Sequence, residues 1–230
     1  MNSFTSLDGR CLATKMNVRK ISESSVRRLS LYLNLLREMC DRGAELVSSA
    51  ELADGSGTTA AQVRKDLSNF GSFGKRGQGY AVEELRARLE SILGLVRPRR
   101  VAVVGAGKIG SALLGYRDLT SRGFEIIVAF DIDPDKVGRT VFGVPVLPMN
   151  ELEHRLAADG IEIVILATPP AVAQEVANRV TSAGVAGILS FAASKLETDG
   201  SLAVRWMDVA LELEGLSFLI SAATNGVEEP

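Results

Sequence analysis

One ten-residue stretch constrains the fold of this chain more than any other. Residues 101–110 are Val-Ala-Val-Val-Gly-Ala-Gly-Lys-Ile-Gly, an apolar run followed by Gly-x-Gly-x-x-Gly. This order is typical of a buried parallel strand that passes through a glycine loop into a helix. In such a unit Gly105 makes the tight turn, Gly107 lets a pyrophosphate approach the backbone, and Gly110 allows the helix to pack closely. The phosphates would bind the free N–H groups at the positive end of that helix.

A second apolar run ends in an acidic residue at the spacing that a dinucleotide site requires. Residues 124–130 predict a strand, and Asp131 follows it, 21 residues after Gly110. An acid about 20 residues beyond the glycines commonly binds the ribose hydroxyls of NAD. We therefore predict a dinucleotide site. A glycine turn in a sheet that binds no ligand is the alternative.

The rest of the back half alternates between predicted strands and helices, which favours a right-handed, doubly wound, mostly parallel α/β sheet of the Rossmann type. After the glycine motif the predicted elements are a helix at 111–121, strands at 124–130 and 144–147, a helix at 150–158, a strand at 161–166, a helix from Pro169 or Pro170 to 183, and a strand at 186–191. A ligand lies across the carboxyl ends of such strands. The residues at those ends include Thr168, Ser190, Phe191 and Ala192. The predicted cofactor-binding residues are Gly105, Ala106, Gly107, Lys108, Ile109, Gly110, Asp131, Thr168 and Phe191.

The front half predicts a helix-turn-helix. A helical pattern of apolar residues stops at Gly43, a glycine suited to the left-handed conformation that ends a helix. Two capping boxes follow, Ser48 with Glu51 and Thr59 with Gln62. They open two short helices that are separated by glycines. The basic, exposed face of the second helix would enter the major groove of DNA.

A glycine-rich loop after the second helix predicts the wing of a winged helix. Residues 71–80 carry Lys75 and Arg76 among several glycines. Glycine supplies the positive backbone angles of a hairpin, and the two cations would reach phosphate. The predicted DNA-binding residues are Ser48, Ser49, Thr59, Gln62, Arg64, Lys65, Ser68, Lys75 and Arg76. A small helical protein-interaction domain with solvated charges is the alternative.

Charge and composition agree with nucleic-acid binding by the front half. Residues 1–97 contain 15 Lys and Arg against 11 Asp and Glu, whereas the whole chain has a formal net charge of −2. No apolar run approaches the roughly 18 residues of a membrane span. Residues 1–20 lack the apolar core of a secretory signal, and Cys11 and Cys40 form no paired motif, so we expect a cytoplasmic protein. His154 is the only histidine; we interpret it as an ordinary exposed side chain and expect no metal and no membrane partner.

These patterns divide the chain into segments. The predicted segments are a disordered tail at 1–20, a winged-helix DNA-binding domain at 21–93, a linker at 94–100, a Rossmann NAD(H)-binding domain at 101–205, a C-terminal dimerisation helix at 206–221 and a tail at 222–230. Apolar residues extend more than halfway round the last helix, so it must be covered on most sides. A partner subunit is the predicted cover, and a core within one chain is the alternative.

Seven stretches match one known family across both halves. They lie at residues 26–33, 47–52, 62–68, 70–74, 77–80, 130–138 and 184–189. In these stretches, and in the order of its two domains, the chain resembles the redox-sensing transcriptional repressors of the Rex family. The resemblance covers about residues 21–221. Agreement of both domains in one order is far more specific than agreement of either alone.

The resemblance implies a homodimer that binds an inverted-repeat operator when NADH is scarce and releases it when NADH binds. It implies that the C-terminal helix is swapped between subunits, and that Arg28, Tyr80 and Asp208 form the switch. The implied cofactors are NADH and NAD⁺, the implied partners are double-stranded operator DNA and a second copy, and no enzyme activity is expected. The chain departs from the family pattern at Asn69, Ser190, Ala193 and Val209.

The residues themselves leave two other functions open. An NAD-dependent oxidoreductase needs a proton donor or acceptor beside the transferred hydride, for which Tyr80 and Lys195 are the only loose candidates. A constitutive DNA-binding protein could use the sheet as a dimerisation scaffold and bind another nucleotide, such as a fragment of coenzyme A.

Overall fold

The computed structural model describes residues 21–71, 78–192, 194–198, 200 and 202–225. The chain forms two compact units, Met1–Val96 and Arg97–Pro230. Several sequence predictions fall outside the described residues. They are the tail at 1–20, the wing cations Lys75 and Arg76, the departure at Ala193 and the last five residues of the predicted C-terminal tail.

The first unit is a small helical domain. Its elements are α1 (Glu23–Asp41), β1 (Leu46–Val47), α2 (Ser49–Ser56), α3 (Ala60–Ser68), β2 (Tyr80–Ala81) and α4 (Val82–Leu93). The apolar faces of these helices meet in one core, which includes the fully buried Leu29, Leu52 and Leu67. Strands β1 and β2 pair antiparallel, with Val47 opposite Tyr80.

Local signals set the ends of these helices as predicted. Helix α1 is followed by Gly43 with φ +74°, and α2 ends at Gly57 with φ +65°. The Ser48 hydroxyl accepts the N–H of Glu51, whose carboxylate accepts the N–H of Ser48, so this capping box is complete. Because the two helices are capped and separated by a left-handed glycine, α2 and α3 form the predicted helix-turn-helix.

The second unit is a Rossmann-type α/β fold. Its elements are β3 (Arg99–Val104), α5 (Lys108–Leu114), α6 (Asp118–Ser121), β4 (Phe124–Asp131), β5 (Thr140–Val141), β6 (Val144–Pro148), a 3₁₀ turn (Met149–Glu151), α7 (Leu152–Ala158), β7 (Ile163–Leu166), α8 (Pro170–Ser182), β8 (Gly187–Ser190), β9 (Ala203–Trp206) and α9 (Val209–Asn225). Among the described residues, the strands form one sheet of seven in the order β5-β6-β4-β3-β7-β8-β9. All neighbours are parallel except β5 and β6.

The strand order reverses at β3, which has β4 on one side and β7 on the other. Alternate residues of β3 enter two different cores: Ala102 and Val104 face one layer, and Val101 and Val103 face the other. Both faces of the sheet are therefore covered, which explains the continuous apolar run in the sequence. In a doubly wound sheet the ligand binds in the crevice at such a reversal, beyond the carboxyl ends of the strands.

The structure corrects several predicted boundaries. The helix expected from residue 206 begins instead at Val209, because Ala203–Trp206 is an edge strand that pairs with β8. That helix continues to Asn225 and so enters the predicted tail. Strand β3 begins at Arg99, inside the predicted linker, because its first residues already pair with β4. The single helix expected at 111–121 is two helices, α5 and α6.

Candidate functional sites

The glycine loop after β3 has the geometry that its sequence predicts. Gly105 has φ +96°, and a Cβ atom there would lie 2.6 Å from the carbonyl oxygen of Ala167. A Cβ atom on Gly110 would lie 1.8 Å from the carbonyl oxygen of Gly105. A Cβ atom on Gly107 would meet nothing within 4 Å. Packing therefore explains the first and last glycines, whereas Gly107 leaves open space at the start of α5 that a ligand could fill.

Asp131 braces this loop from the end of β4. It is 8 % exposed, and its Oδ2 accepts the N–H of Ala106 at 2.7 Å. Its Oδ1 accepts the N–H of Asp133 at 2.9 Å. Lys136 Nζ lies 3.3 Å from a carboxylate oxygen of both Asp131 and Asp133. Although burial opposes the charged ammonium, hydrogen bonds and charge from the two carboxylates raise the pKa of Lys136. The predicted ribose-binding acid thus has a structural role and a cation beside it.

A cavity of about 500 Å³ opens at this loop, at the reversal of strand order. Four of the predicted cofactor-binding residues line it: Gly105, Gly107, Asp131 and Thr168. The hydroxyl of Thr168 is buried and has no hydrogen-bond partner among the described residues. Buried polar atoms are rarely left unpaired unless a ligand or water completes them. The cavity therefore has an open approach to the glycine loop and lies beside a polar group that is unpaired and shielded from solvent.

The other predicted cofactor-binding residues do not line the cavity. Ala106 contributes its N–H to Asp131, and Gly110 is packed against the loop. Lys108 and Ile109 are exposed on α5. Phe191 packs against the core on one face of the sheet. Their contact with a cofactor remains a prediction.

The sequence did not predict one part of the cavity wall. This part is formed by Ile132, Asp133, Lys136, Met149, Val172, Glu175, Val176 and Arg179. Four of these residues recur at three- and four-residue spacing along one face of α8, a helix that the sequence did predict. The side chain of Arg179 is held by Glu153 and donates to the carbonyl oxygen of Met149 at 2.6 Å. Hydrogen bonds from Arg179 lower the pKa of Glu153 to about 2.

A second cavity of about 360 Å³ lies at the start of α9. It is lined by Ala192, Ser194, Lys195, Trp206, Asp208 and Leu211. Asp208 Oδ1 accepts the N–H of Ala210 at 2.9 Å, and its carbonyl oxygen accepts the N–H of Glu212. Asp208 therefore acts as a cap for α9 in this structure.

The helix-turn-helix exposes several of the predicted DNA-binding side chains, whereas Ser48, Ser49 and Gln62 are half-buried. Arg64, Lys65 and Ser68 are exposed on α3. Arg64 Nη1 donates to the hydroxyl of Ser49 at 2.9 Å, which joins α3 to the start of α2. Within the described part of the chain no carboxylate forms an ion pair with Arg64 or Lys65. Two positive charges on an exposed helix face suit contact with phosphate or base edges.

The second capping box is only half formed. The Thr59 hydroxyl accepts the N–H of Gln62 at 3.2 Å, as predicted. The side chain of Gln62 does not reach back to Thr59, however, and instead donates to Asp66 Oδ1 at 2.9 Å. The Gln62 amide therefore binds the buried carboxylate of Asp66 and not the backbone at the helix N-terminus, which the sequence pattern predicted.

Asp66 is the centre of a polar network between α1 and α3. It is 1 % exposed, and Arg28 donates to both its oxygens at 2.6 and 2.8 Å. The Tyr32 hydroxyl donates to Oδ2 at 3.0 Å. Burial would raise the pKa of Asp66, but hydrogen bonds from Arg28, Gln62 and Tyr32 outweigh it and lower that pKa. Burial, together with Asp66 beside it, raises the pKa of Tyr32 to about 12. The Arg28 side chain is therefore held by the buried Asp66 carboxylate and is not a freely solvated surface charge.

The three predicted switch residues have different surroundings. Arg28 is bound by Asp66 in the first unit. Tyr80 is half-buried against the core of that unit, and burial raises its pKa. Asp208 caps α9 in the second unit. Their role in a switch remains a prediction.

His154 is exposed on α7, as expected.

The described residues contain no cluster of metal-ligating side chains. None of the helices described is both long and apolar enough to cross a bilayer.

These features define a class of protein, in which a helix-turn-helix domain precedes a Rossmann domain with a nucleotide-sized cavity. Family models agree: residues 20–68 match one described as putative DNA-binding protein N-terminus, and residues 96–194 match the CoA binding domain. The chain is 46 % identical to the redox-sensing transcriptional repressor Rex of Carboxydothermus hydrogenoformans, over 87 % of this chain and 97 % of that one. It is 41 % identical to Rex of Streptomyces coelicolor, over 91 % and 81 % respectively. The chain belongs to the Rex family of redox-sensing transcriptional repressors.

Solved structures give the same result. The crystal structure of RSP, a Rex-family repressor, matches with a TM-score of 0.79 and 32 % identity, over 89 % of this chain and 95 % of that one. The complex of RSP with β-NAD⁺ and operator DNA matches with a TM-score of 0.81 and 32 % identity, over 90 % and 98 %. The complex of RSP with β-NADH has a TM-score of 0.78 and 32 % identity, over 89 % and 96 %. The resemblance and the fold class inferred from sequence are thus confirmed.

Proposed function

We propose that this chain is a transcriptional repressor that senses the ratio of NADH to NAD⁺. It binds an inverted-repeat operator when NADH is low and releases it when NADH binds. The observation that carries this proposal is the match to RSP structures that contain β-NADH in one case and β-NAD⁺ with operator DNA in another. It covers about nine-tenths of this chain and 96 % and 98 % of those two. We assign DNA binding to residues 21–93 and NAD(H) binding to residues 101–205.

The residues around the larger cavity suit a dinucleotide. Gly107 leaves room for a pyrophosphate at the backbone N–H groups that open α5. Thr168 offers a buried hydroxyl that lacks a partner among the described residues. Asp131 can accept a ribose hydroxyl with lone pairs that the loop does not use, and its charge disfavours a 2′-phosphate. We therefore propose NADH and NAD⁺ as ligands in preference to NADPH and NADP⁺.

The bound dinucleotide acts as an effector in this proposal. Its nicotinamide ring carries a positive charge only when oxidised, and this is the chemical difference that the protein must detect. We propose that no hydride is transferred, because the relatives that match over most of the chain are named repressors. A repressor acts where the chromosome lies, and we place the protein in the cytoplasm.

A second copy of the chain is the proposed cover for α9. The exposed apolar side chains on this helix are Val209, Leu211, Leu213, Leu216, Phe218, Leu219 and Ile220, each more than half exposed. An apolar patch of this size marks an interaction surface. A two-fold homodimer, with α9 exchanged between subunits, would place two helix-turn-helix units on the two halves of an inverted repeat.

We propose that Arg28, Tyr80 and Asp208 couple the two ligands. A change of population from 99:1 to 1:99 requires about 5.5 kcal/mol of differential affinity, whereas one neutral hydrogen bond contributes about 0.5–1.5 kcal/mol. Several contacts must therefore change together. The pair between Arg28 and Asp66 supports a role for Arg28, because it joins α1 to the recognition helix α3.

One experiment tests the proposal against its rivals. Full-length protein is titrated with NADH, NAD⁺, NADPH and coenzyme A, each with and without a duplex selected by this protein from a randomised inverted-repeat library. We expect NADH to bind tightly and to lower DNA affinity, and NAD⁺ to lower it much less. DNA binding that none of the four ligands changes would refute the sensor. Consumption of NADH on incubation with carbonyl compounds would favour the oxidoreductase. Binding of coenzyme A that leaves DNA affinity unchanged would favour the constitutive DNA-binding protein.

A further inference from the structure

The recognition helix carries an amide whose direction is fixed from behind. Gln62 is the third residue of α3 and is half-buried at the edge of the exposed basic face. Its Nε2 lies 2.9 Å from Asp66 Oδ1. An ionised carboxylate can only accept hydrogen bonds, so the nitrogen of the amide must face Asp66 and the oxygen must face away.

The hydrogen bonds around Asp66 keep the Gln62 amide in this one orientation. Arg28 and Tyr32 donate to the same carboxylate, so Asp66 stays ionised and cannot itself become a donor. Its side chain is 1 % exposed and is held between α1 and α3. A side-chain amide in solution rotates freely and can present either end. The amide of Gln62 presents one end only.

The early residues of a recognition helix are those that contact base edges in the major groove. Within the described part of the chain Gln62 Oε1 accepts no hydrogen bond, and the amide retains a second N–H beyond the one given to Asp66. An oxygen acceptor beside an N–H donor matches adenine, which offers its N6 amino group and its N7 acceptor together. Guanine and thymine present acceptors where Oε1 would need a donor.

We propose that Gln62 reads an adenine in each half of the operator, and that Asp66 is the positioning residue that sets the direction of its amide. This inference rests on the proposed function, because it assumes that α3 enters the major groove. It goes further by naming the base and the residue that selects it. Arg64 and Lys65 then supply the remaining contacts of the same helix face.

The test compares base preferences of full-length variants. Duplexes are selected from a randomised inverted-repeat library without NADH, and affinities are measured for every base at each position. For wild type we expect one adenine per half-site whose replacement weakens binding by about 5- to 150-fold. In Gln62→Ala that position should accept all four bases, whereas the preferences at other positions remain. In Gln62→Glu the side chain keeps its acceptors but loses its donors, and the preference should move from adenine towards cytosine.

A matched pair of variants tests the positioning role. Asp66→Asn and Tyr32→Phe each remove part of the same buried network, but only Asp66→Asn frees the amide of Gln62. We expect Asp66→Asn to weaken the adenine preference and Tyr32→Phe to keep it, although Asp66→Asn should lose more thermal stability because Asp66 has more partners in the network. If Asp66→Asn does not fold, as judged by circular dichroism, Asp66→Glu takes its place: its longer side chain moves the acceptor, so the adenine preference should again weaken.

Each outcome has a clear meaning. Unchanged preferences in Gln62→Ala, or a loss that is equal at all positions, would overturn the inference. Equal effects of Asp66→Asn and Tyr32→Phe on base preference would overturn the role of Asp66. A wild-type protein that selects no sequence at all would instead refute the proposed function, so the two failures are distinguishable.

Discussion

Replacing Asp131 by asparagine should damage both the glycine loop and the choice of cofactor. The two carboxylate oxygens each accept a backbone N–H, from Ala106 and from Asp133. Asparagine keeps one oxygen, so one of these donors loses its acceptor. An unsatisfied buried donor costs about 1–3 kcal/mol. The lost pair with Lys136, a side chain that is 37 % exposed, adds about 0–1 kcal/mol. The free energy of unfolding should therefore fall by about 1–4 kcal/mol.

Cofactor affinity should fall as well. A hydrogen bond to a charged acceptor contributes about 1.5–3 kcal/mol, so Asp131→Asn should weaken NADH binding by about 10- to 150-fold. NADPH should lose much less, because the charge that disfavours its 2′-phosphate is removed while the cation of Lys136 stays nearby. The preference for NADH over NADPH should narrow by at least about tenfold, the factor that corresponds to 1.4 kcal/mol.

Two assays and one control variant test these values. Trp206 is the only tryptophan of the chain and lies in β9, so its fluorescence during urea unfolding reports on the second unit. Cofactor affinity is measured by calorimetry. Asp133→Asn is the control, since the Asp133 carboxylate is 40 % exposed and does not hold the glycine loop. If Asp131→Asn keeps the stability and the cofactor preference of wild type, or if Asp133→Asn loses the preference instead, Asp131 is not the selecting residue.

Four further predictions follow from the geometry. Arg64→Ala should weaken the specific site by about 1–3 kcal/mol if Arg64 contacts a base; equal loss on random DNA in a binding titration would make it a phosphate contact. Thr168→Val should leave the urea midpoint nearly unchanged, because the hydroxyl has no partner among the described residues. The same substitution should weaken NADH binding about 2- to 13-fold, the equivalent of about 0.5–1.5 kcal/mol. Unchanged NADH affinity would contradict this prediction. Hydrogen bonds from Arg97 and Arg99 lower the pKa of Glu162 from 4.5 to about 2. The ionised Glu162 therefore stabilises the fold above pH 4.5, and this contribution is lost as the pH falls towards 2. The stability of Glu162→Gln, measured by acid unfolding, should depend less on pH in that window. Asp208→Ala should keep DNA and NADH binding yet weaken their antagonism, and release of DNA at the wild-type NADH concentration would remove Asp208 from the switch.

Sequence reasoning succeeded where a feature depends on residues close together in the chain. The strained turn at Gly105 and the close packing at Gly110 follow from a six-residue motif, and both are present. The capping box of Ser48 and Glu51 spans four residues and forms as predicted. Such features depend on local backbone geometry, which the sequence specifies directly.

The failures involve partners far apart in the chain. The pair of Arg28 and Asp66 joins residues 38 positions apart, and no periodic pattern indicates it. Strand β9 was not predicted, and its last residue, Trp206, was assigned to the final helix. Four residues at a sheet edge have no distinct period, and only pairing with β8 makes them a strand. Tertiary context decides such short elements.

The apolar surface of α9 affects how the protein is made in the cell. In the sequence α9 follows every strand of the sheet, so it is the last of the described elements to be synthesised. Each new chain then exposes seven large apolar side chains on that helix until it is covered. If a second copy covers it, as proposed, the covering is a concentration-dependent step. Pairing and aggregation both begin from this exposed surface, so the fate of a new chain depends on how soon it meets a second copy.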